Sequence, residues 1–196
     1  MSNVVLNFDS FDRTWLLTWT TYATWLPGDR RGFVSPKYDG TVAEKRNNQV
    51  GTIVDSDRFE LQQSAKAKVI GNPVLLTKPQ ATVLKHQFEE TAHFRAWTII
   101  SGAIMANHVH LIVGVSNDPD PSSLLRGFKS YASRALNKEF TIPESGTWWT
   151  EQGSKRKVYN AAFFANARRY VLEQHNPLLI WDAAKTQGAD APRSPE

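Results

Sequence analysis

The sequence predicts a single α+β domain in which an antiparallel sheet carries its helices on one face. The length of 196 residues suits one domain better than two. Segments with strand-like and helix-like spacing follow in the order strand, helix, two strands, helix, short strand and helix. Because very few residues separate the two central strands, antiparallel pairing is favoured, and this order is typical of an α+β fold.

The first half of the chain contains one predicted strand and one predicted helix. The run RTWLLTWTTY, residues 13–22, alternates large apolar and small polar side chains and ends at LPGDRRG, which indicates a strand. A helix is predicted to start after an N-cap at Thr77 and to extend to about residue 94, because apolar residues recur there at helical spacing. Residues 35–72 are polar and weakly periodic, which favours a surface insertion.

The second half supplies the remaining elements. The β-rich runs AWTIISGAIM and NHVHLIVGV predict two strands, and LLRGFKSYASRALNKEF predicts a helix with basic residues on its solvent side. A short strand is expected near Trp148 and Trp149, and a last helix from about residue 160 to 174, before Pro177 prevents continuation. Residues 1–183 are therefore interpreted as one domain, and residues 184–196 as a flexible tail.

Composition excludes several classes of protein. The chain has no cysteine, which excludes disulfides, thiolate metal sites and a cysteine nucleophile. Its 23 Lys and Arg against 19 Asp and Glu give a net charge of +4, which is compatible with a nucleic-acid partner. Since no apolar run approaches the roughly 18 residues of a membrane span, a soluble cytoplasmic protein is expected.

Two histidines stand one residue apart in the run MANHVHLIV. In a strand, His108 and His110 point to the same side, roughly 6 to 7 Å apart, and could converge on one divalent ion. The alternative is a pair of half-exposed histidines on a solvated sheet face. A metal site would need a third ligand.

The last predicted helix offers such a partner. At 100° per residue, Phe163, Ala167, Tyr170 and Gln174 form one stripe, which we expect to face the protein body. A tyrosine on such a stripe is often a packing residue, but a buried amide such as Gln174 must be hydrogen-bonded. A phenol and an amide at positions i and i+4 could approach one ion together.

With these residues, the chain resembles the HUH single-stranded DNA endonucleases, and within them the single-tyrosine transposases of the IS200-like and REP-associated group. The resemblance rests on MANHVHLIV, on TWTTYATWLPGDRRG, and on SGTWW followed by RRYVLEQHNP, and covers roughly residues 13–30 and 76–182. The chain departs from the family's pattern in two places. Ala106 stands where the family usually has Pro, and the residues YVLEQHNP are spaced a little differently from the commoner Tyr…Asn-Pro form.

The resemblance implies a ferredoxin-like sheet on which His108, His110 and Gln174 hold Mg²⁺ or Mn²⁺. Tyr170 would attack a phosphodiester of single-stranded or hairpin DNA and form a 5′-phosphotyrosine. Tyr131 is the rival nucleophile, but it has no amide four residues later. Two questions stay open: whether the protein acts as a homodimer, and whether it is instead a DNA-binding module that no longer cleaves.

DNA contacts are predicted where basic and aromatic residues occur together, because single strands are bound by cationic grooves and aromatic platforms. The alternative is that the tryptophans fill the core and the charges are solvated. The predicted DNA-contacting residues are Trp25, Arg30, Arg31, Trp148, Lys155, Arg156, Lys157, Arg168 and Arg169.

Overall fold

The computed structural model describes residues 8–29 and 59–183. The elements in chain order are β1 (Arg13–Thr20), α1 (Phe59–Ala67), α2 (Lys78–Phe94), β2 (Trp97–Ile104), β3 (His108–Val115), α3 (Pro121–Glu139), β4 (Ser154–Val158), α4 (Ala161–Leu172) and β5 (Leu179–Asp182). No helix within these ranges is long and apolar enough to cross a membrane.

The five strands form one antiparallel sheet in the order β4-β1-β3-β2-β5. Without the edge strand β5, the β1-α2-β2-β3-α3-β4 sequence has the connectivity of a ferredoxin-like fold. In the register, Thr18 of β1 pairs with His110 of β3 on one side and with Ser154 of β4 on the other. The predicted α+β fold with a single antiparallel sheet is confirmed.

The helices cover both faces of this sheet. The α2 and α3 helices pack on one face, where Trp19, Phe88 and Phe128 form the centre of the larger core. The α4 helix lies on the opposite face and buries Phe164, Ala167 and Val171 in a second core with β1 and β3 residues. The prediction of helices on one face therefore holds for α2 and α3, whereas α4 departs from it. The reason is that Leu16 and Ile112 make the second face apolar as well, so that face must also be covered.

The second half differs from the prediction in two places. Trp149 forms only an isolated bridge with Thr21, and the strand that follows is β4, which contains the basic run SKRK. The strand β5 was not predicted. Residues 30–58 of the chain, including most of the predicted insertion, and the predicted tail 184–196 lie outside the described residues.

Candidate active site

The site begins with the paired histidines on β3. His108 and His110 point to the face covered by α4, and their ring centroids are 4.7 Å apart with the rings nearly perpendicular. Val109 and Leu111 point to the other face and belong to the larger core. The expected placement of both imidazoles on one face is thus what the structure shows.

The two ring nitrogens of His110 have different surroundings. Nδ1 lies 2.7 Å from the hydroxyl of Thr18, the cross-strand partner of His110. Nε2 is buried and has no hydrogen-bond partner among the described residues. Since a buried polar atom without a partner is costly, the unpaired Nε2 marks a position where a ligand would be stabilised.

The electrostatics keep both imidazoles neutral. Burial, the larger cause, and electrostatic repulsion from His108 together lower the pKa of His110 to about 3. Burial also lowers the pKa of His108, and the nearby Gln174 side chain partly offsets this by raising it. Neutral imidazoles can ligate a metal at pH 7 without first losing a proton.

Tyr170 on α4 completes the cluster above the histidines. Its ring centroid is 5.1 Å from that of His110, in an edge-to-face arrangement. The buried stripe of α4 contains Phe164 rather than the predicted Phe163, and Tyr170 stands beside this stripe with 52% of its surface exposed. Tyr170 is therefore held against His110 but remains accessible to a large substrate.

Gln174 lies just beyond the end of α4. Its Nε2 donates a hydrogen bond of 2.9 Å to the backbone carbonyl of Tyr170. The amide oxygen is left out of this bond, and the Gln174 side chain is close enough to His108 to raise the pKa of that imidazole. The structure thus brings His108, His110, Tyr170 and Gln174 together, as the sequence predicted.

Tyr131 has a different environment. It lies on α3, in the layer that covers the sheet face opposite the histidines, and the Arg134 guanidinium stands 5.2 Å from its ring centroid. The structure therefore does not bring Tyr131 to the candidate site.

The donor set fits a divalent ion with open coordination positions. Within residues 8–29 and 59–183, no group of three or more His, Cys, Asp or Glu side chains could hold a metal. The groups available here are instead two imidazoles and one amide oxygen, and the Nε2 atom of His110 is buried without a hydrogen-bond partner among the described residues. His108 is oriented for the same role, because its Nδ1 is 2.7 Å from the Asn107 side-chain oxygen, which directs Nε2 away from that contact.

Comparison with known proteins identifies the family. The model of the family described as "Transposase IS200 like" matches residues 72–174, more than half of the chain. The chain belongs to the IS200-like transposase family. The match contains both histidines, Tyr170 and Gln174, so a transposase-type function applies to the part of the protein that holds the site.

Solved structures give more distant matches. A REP-associated tyrosine transposase bound to a REP hairpin is 14% identical, with a TM-score of 0.46, and the match covers 83% of this chain and 66% of that one. The chain thus spans just under two thirds of that relative. A candidate transposase from Deinococcus radiodurans R1 is 15% identical, with a TM-score of 0.42 and coverage of 84% and 92%. No curated protein matches the sequence.

The aromatic residues predicted to contact DNA in this transposase-family protein have unequal surroundings. Trp148 is only 3% exposed, and its indole N–H donates to the Asn137 side chain, so the prediction that it stacks on a base is wrong. Trp148 packs in the larger core because the segment before β4 folds back over α3. Trp25 is 39% exposed and so is available for contact, whereas Arg30 and Arg31 lie outside the described residues.

The basic run on β4 is divided between the two faces of the sheet. Arg156 pairs with Leu16 and points to the histidine face, whereas Lys155 and Lys157 pair with Leu17 and Trp15 and point to the opposite face. Strand alternation causes this division, which was not predicted because no strand was expected at residues 154–158.

The two arginines of α4 also differ from each other. Arg168 makes a two-point ion pair with the buried Asp182 of β5, through Nε at 3.2 Å and Nη2 at 2.5 Å. Arg169 is exposed and donates a hydrogen bond of 3.1 Å to the side-chain oxygen of the neighbouring Asn166. Arg168 thus has a structural partner, while Arg169 can reach a phosphate without breaking an ion pair.

Sequence reasoning missed the residues that orient the site, namely Thr18, Asn107 and Asp182. Thr18 lies in the polar alternation TWTT of β1. A polar residue on the strand next to the histidine strand is the one sequence feature that could have indicated its contact with His110. Its pairing with His110 depends on a register between segments 92 residues apart, which the sequence does not reveal.

Proposed function

We propose that this protein cleaves and rejoins single-stranded DNA in the manner of an HUH endonuclease, with Tyr170 as the nucleophile. The observation that carries the proposal is the contact between the Tyr170 ring and His110, whose Nε2 is buried and unpaired. An exposed phenol beside two neutral imidazoles is a suitable arrangement for attack on a large anionic substrate.

His108, His110 and Gln174 would hold Mg²⁺ or Mn²⁺ in this proposal. The ion would polarise a phosphate oxygen and lower the negative charge that repels the attacking phenolate. Such assistance is needed because a free tyrosine titrates near ~10 and is a poor nucleophile at neutral pH. The chain itself would position the phenol on α4 and hold both imidazoles neutral.

The proposed reaction is a transfer at one phosphorus atom. The Tyr170 phenol loses its proton as its oxygen forms a bond to phosphorus, the bond between phosphorus and the 3′ oxygen breaks, and the released 3′ oxygen takes up a proton. The downstream strand then remains on the enzyme as a 5′-phosphotyrosine. Attack by a 3′-hydroxyl reverses these steps and joins two strands, without ATP, because one phosphoester is exchanged for another.

We propose single-stranded DNA next to a hairpin as the substrate. The REP-associated relative is described as bound to a REP hairpin. On this chain, the exposed Trp25 and the basic side chains Arg156 and Arg169 provide the aromatic and cationic contacts that single strands require.

The first test uses a hairpin oligonucleotide with single-stranded flanks, labelled at its 3′ end. With Mn²⁺, the wild type should form a label-bearing covalent adduct on a denaturing gel, because the downstream fragment stays attached to Tyr170. Tyr170→Phe should form none, whereas the matched control Tyr131→Phe should retain it. EDTA should abolish the adduct in both active proteins.

The labels also separate the competing outcomes. A 5′ label should be released with a free fragment and never migrate with the protein. An adduct that survives in Tyr170→Phe but disappears in Tyr131→Phe would overturn the assignment of the nucleophile. Tight hairpin binding by the wild type with no cleavage in Mg²⁺ or Mn²⁺ would indicate a binding module instead of an enzyme.

A further inference from the structure

A polar cavity lies on the sheet face opposite the histidines. It has a volume of about 480 Å³ and is enclosed by α3 and by the segment that leads into β4. The polar side chains that line it include Ser122, Arg126, Lys129, Ser130, Glu151 and Lys155.

Lys129 builds the wall of this cavity. Its ammonium group donates to the backbone carbonyls of Thr150, Glu151 and Gln152, and so uses all three of its hydrogens. The Trp149 indole N–H donates to the Lys129 backbone carbonyl and to the Ser133 hydroxyl, which fixes the same segment from its other end. The cavity is therefore preformed, and Lys129 serves as part of its frame.

Other cations in the cavity retain free hydrogens. Lys155 donates one hydrogen bond of 3.2 Å to the Ser122 hydroxyl, which leaves two hydrogens. These three cations, Lys155, Arg126 and Lys129, face two carboxylates: Glu151 in the lining, and Asp120 at the start of α3, which interacts electrostatically with Lys155 and Arg126. None of the three cations is in an ion pair with another described residue. Burial, the largest cause, and the positive charge of Lys155 lower the pKa of Lys129, whereas Glu151 raises it, and the resulting pKa is about 8. Positive charge is thus in excess here.

The wall of the cavity also borders the histidine site. The Thr150 hydroxyl lies 2.9 Å from that of Thr20, the residue that pairs with His108. Further along, Ser154 pairs with Thr18, which pairs with His110. Two strand spacings, roughly 10 Å, therefore separate β4 from the histidine strand.

We propose that this cavity binds a backbone phosphate of the DNA strand whose cleavage is proposed above, with Lys155 and Arg126 as the cationic contacts and Ser130 as a hydroxyl donor. The inference rests on that proposed function for the identity of the strand. DNA is favoured over a small anion because the positive charge is not confined to the cavity. Arg156 and Lys157 continue it along the edge strand, so that a polyanion can pass around β4 from one face to the other.

The test measures binding without cleavage. A fluorescein-labelled hairpin oligonucleotide with single-stranded flanks is titrated, by anisotropy, with Tyr170→Phe protein in EDTA over a range of NaCl concentrations. Introducing Lys155→Ala into the Tyr170→Phe protein should weaken binding. It should also reduce the slope of the logarithm of the binding constant against the logarithm of the salt concentration by about 0.7 to 0.9, the value for one lost phosphate contact. Arg126→Ala should act similarly. Lys138→Ala, on an exposed turn at the far end of α3, is the matched control and should leave the slope unchanged.

Three outcomes are decisive. The same reduction with an oligonucleotide of scrambled flank sequence supports a phosphate contact, because such contacts are independent of sequence. An unchanged slope in both Lys155→Ala and Arg126→Ala, with thermal stability retained, would overturn the subsite. A reduced slope together with wild-type protein that forms no covalent adduct would leave the subsite in place and refute the cleavage proposal alone.

Discussion

At the scale of single residues, the orientation of His110 depends on one hydroxyl. Thr18 Oγ1 is 2.7 Å from Nδ1 of His110 and is supplied by the neighbouring strand. When Nδ1 donates its hydrogen to this oxygen, Nε2 carries the lone pair, and Nε2 is the atom that lacks a partner. Groups that hold the second nitrogen of a metal-binding histidine fix both its tautomer and its orientation.

We therefore predict that Thr18→Val weakens Mn²⁺ binding by about tenfold, because valine keeps the shape of threonine but removes the hydroxyl. Thr18→Ser should restore most of the affinity. Calorimetric titration of Mn²⁺ into the DNA-free protein measures both values. Equal affinities for the valine variant and the wild type would show that the hydroxyl does not position the ring, and ¹⁵N chemical shifts of His110 would then show which tautomer is present.

At the scale of elements, the position of α4 is determined by its own packing and by β5. The helix buries Phe164, Ala167 and Val171 against the sheet, and Arg168 ties it to Asp182 at the sheet edge. Because Arg168 stands only two residues before Tyr170, this ion pair also limits how the phenol can move relative to His110.

We predict that Arg168→Ala lowers the free energy of unfolding by about 3 kcal/mol, because it removes the two-point ion pair with the buried Asp182 carboxylate. The neighbouring Arg169→Ala should change it by less than about 0.5 kcal/mol, since Arg169 is exposed. Urea denaturation of both variants without DNA provides the measurement. Equal stabilities of the two variants would show that the Arg168 ion pair does not stabilise the fold. Arg168 would then again be a candidate for DNA contact.

The element scale also shows what the sequence could reveal. The spacing of apolar residues was sufficient to predict α2 and α3, because each buries one regular stripe. It was also sufficient for β1, whose alternating Trp15, Leu17 and Trp19 face the larger core. The strand β5 was missed since it has only four residues and is defined by long-range contacts, such as the Trp181 ring that lies over Gly102 where no Cβ could fit. The side of the sheet that α4 covers was equally hidden, because helical periodicity shows which stripe is apolar but not which surface it meets.

At the scale of the whole molecule, the candidate site was easier to predict than its surroundings. Alternation along a strand places His108 and His110 on one face whatever the rest of the chain does, and a helical turn places Gln174 near Tyr170. Whether Trp148 is exposed, and which face the basic residues on β4 point to, depends instead on how distant segments pack. Local geometry could therefore be derived from spacing, whereas exposure required the complete fold.

The buried histidines also link the stability of the whole molecule to pH. The pKa of His110 is about 3 in the folded protein against an ordinary value of 6.5, so between these values the unfolded chain binds a proton that the folded chain excludes. Stability contributed by neutral His110 is thus present above about pH 6.5 and is lost as the pH falls, by up to about 1.4 kcal/mol per pH unit. The lowered pKa of His108 acts in the same direction.

Urea unfolding in EDTA at pH 7, 6 and 5 should show this dependence of stability on pH in the wild type. His110→Gln should show a smaller dependence, because glutamine cannot take up the proton. Parallel slopes for the two proteins would contradict a buried neutral imidazole at this position.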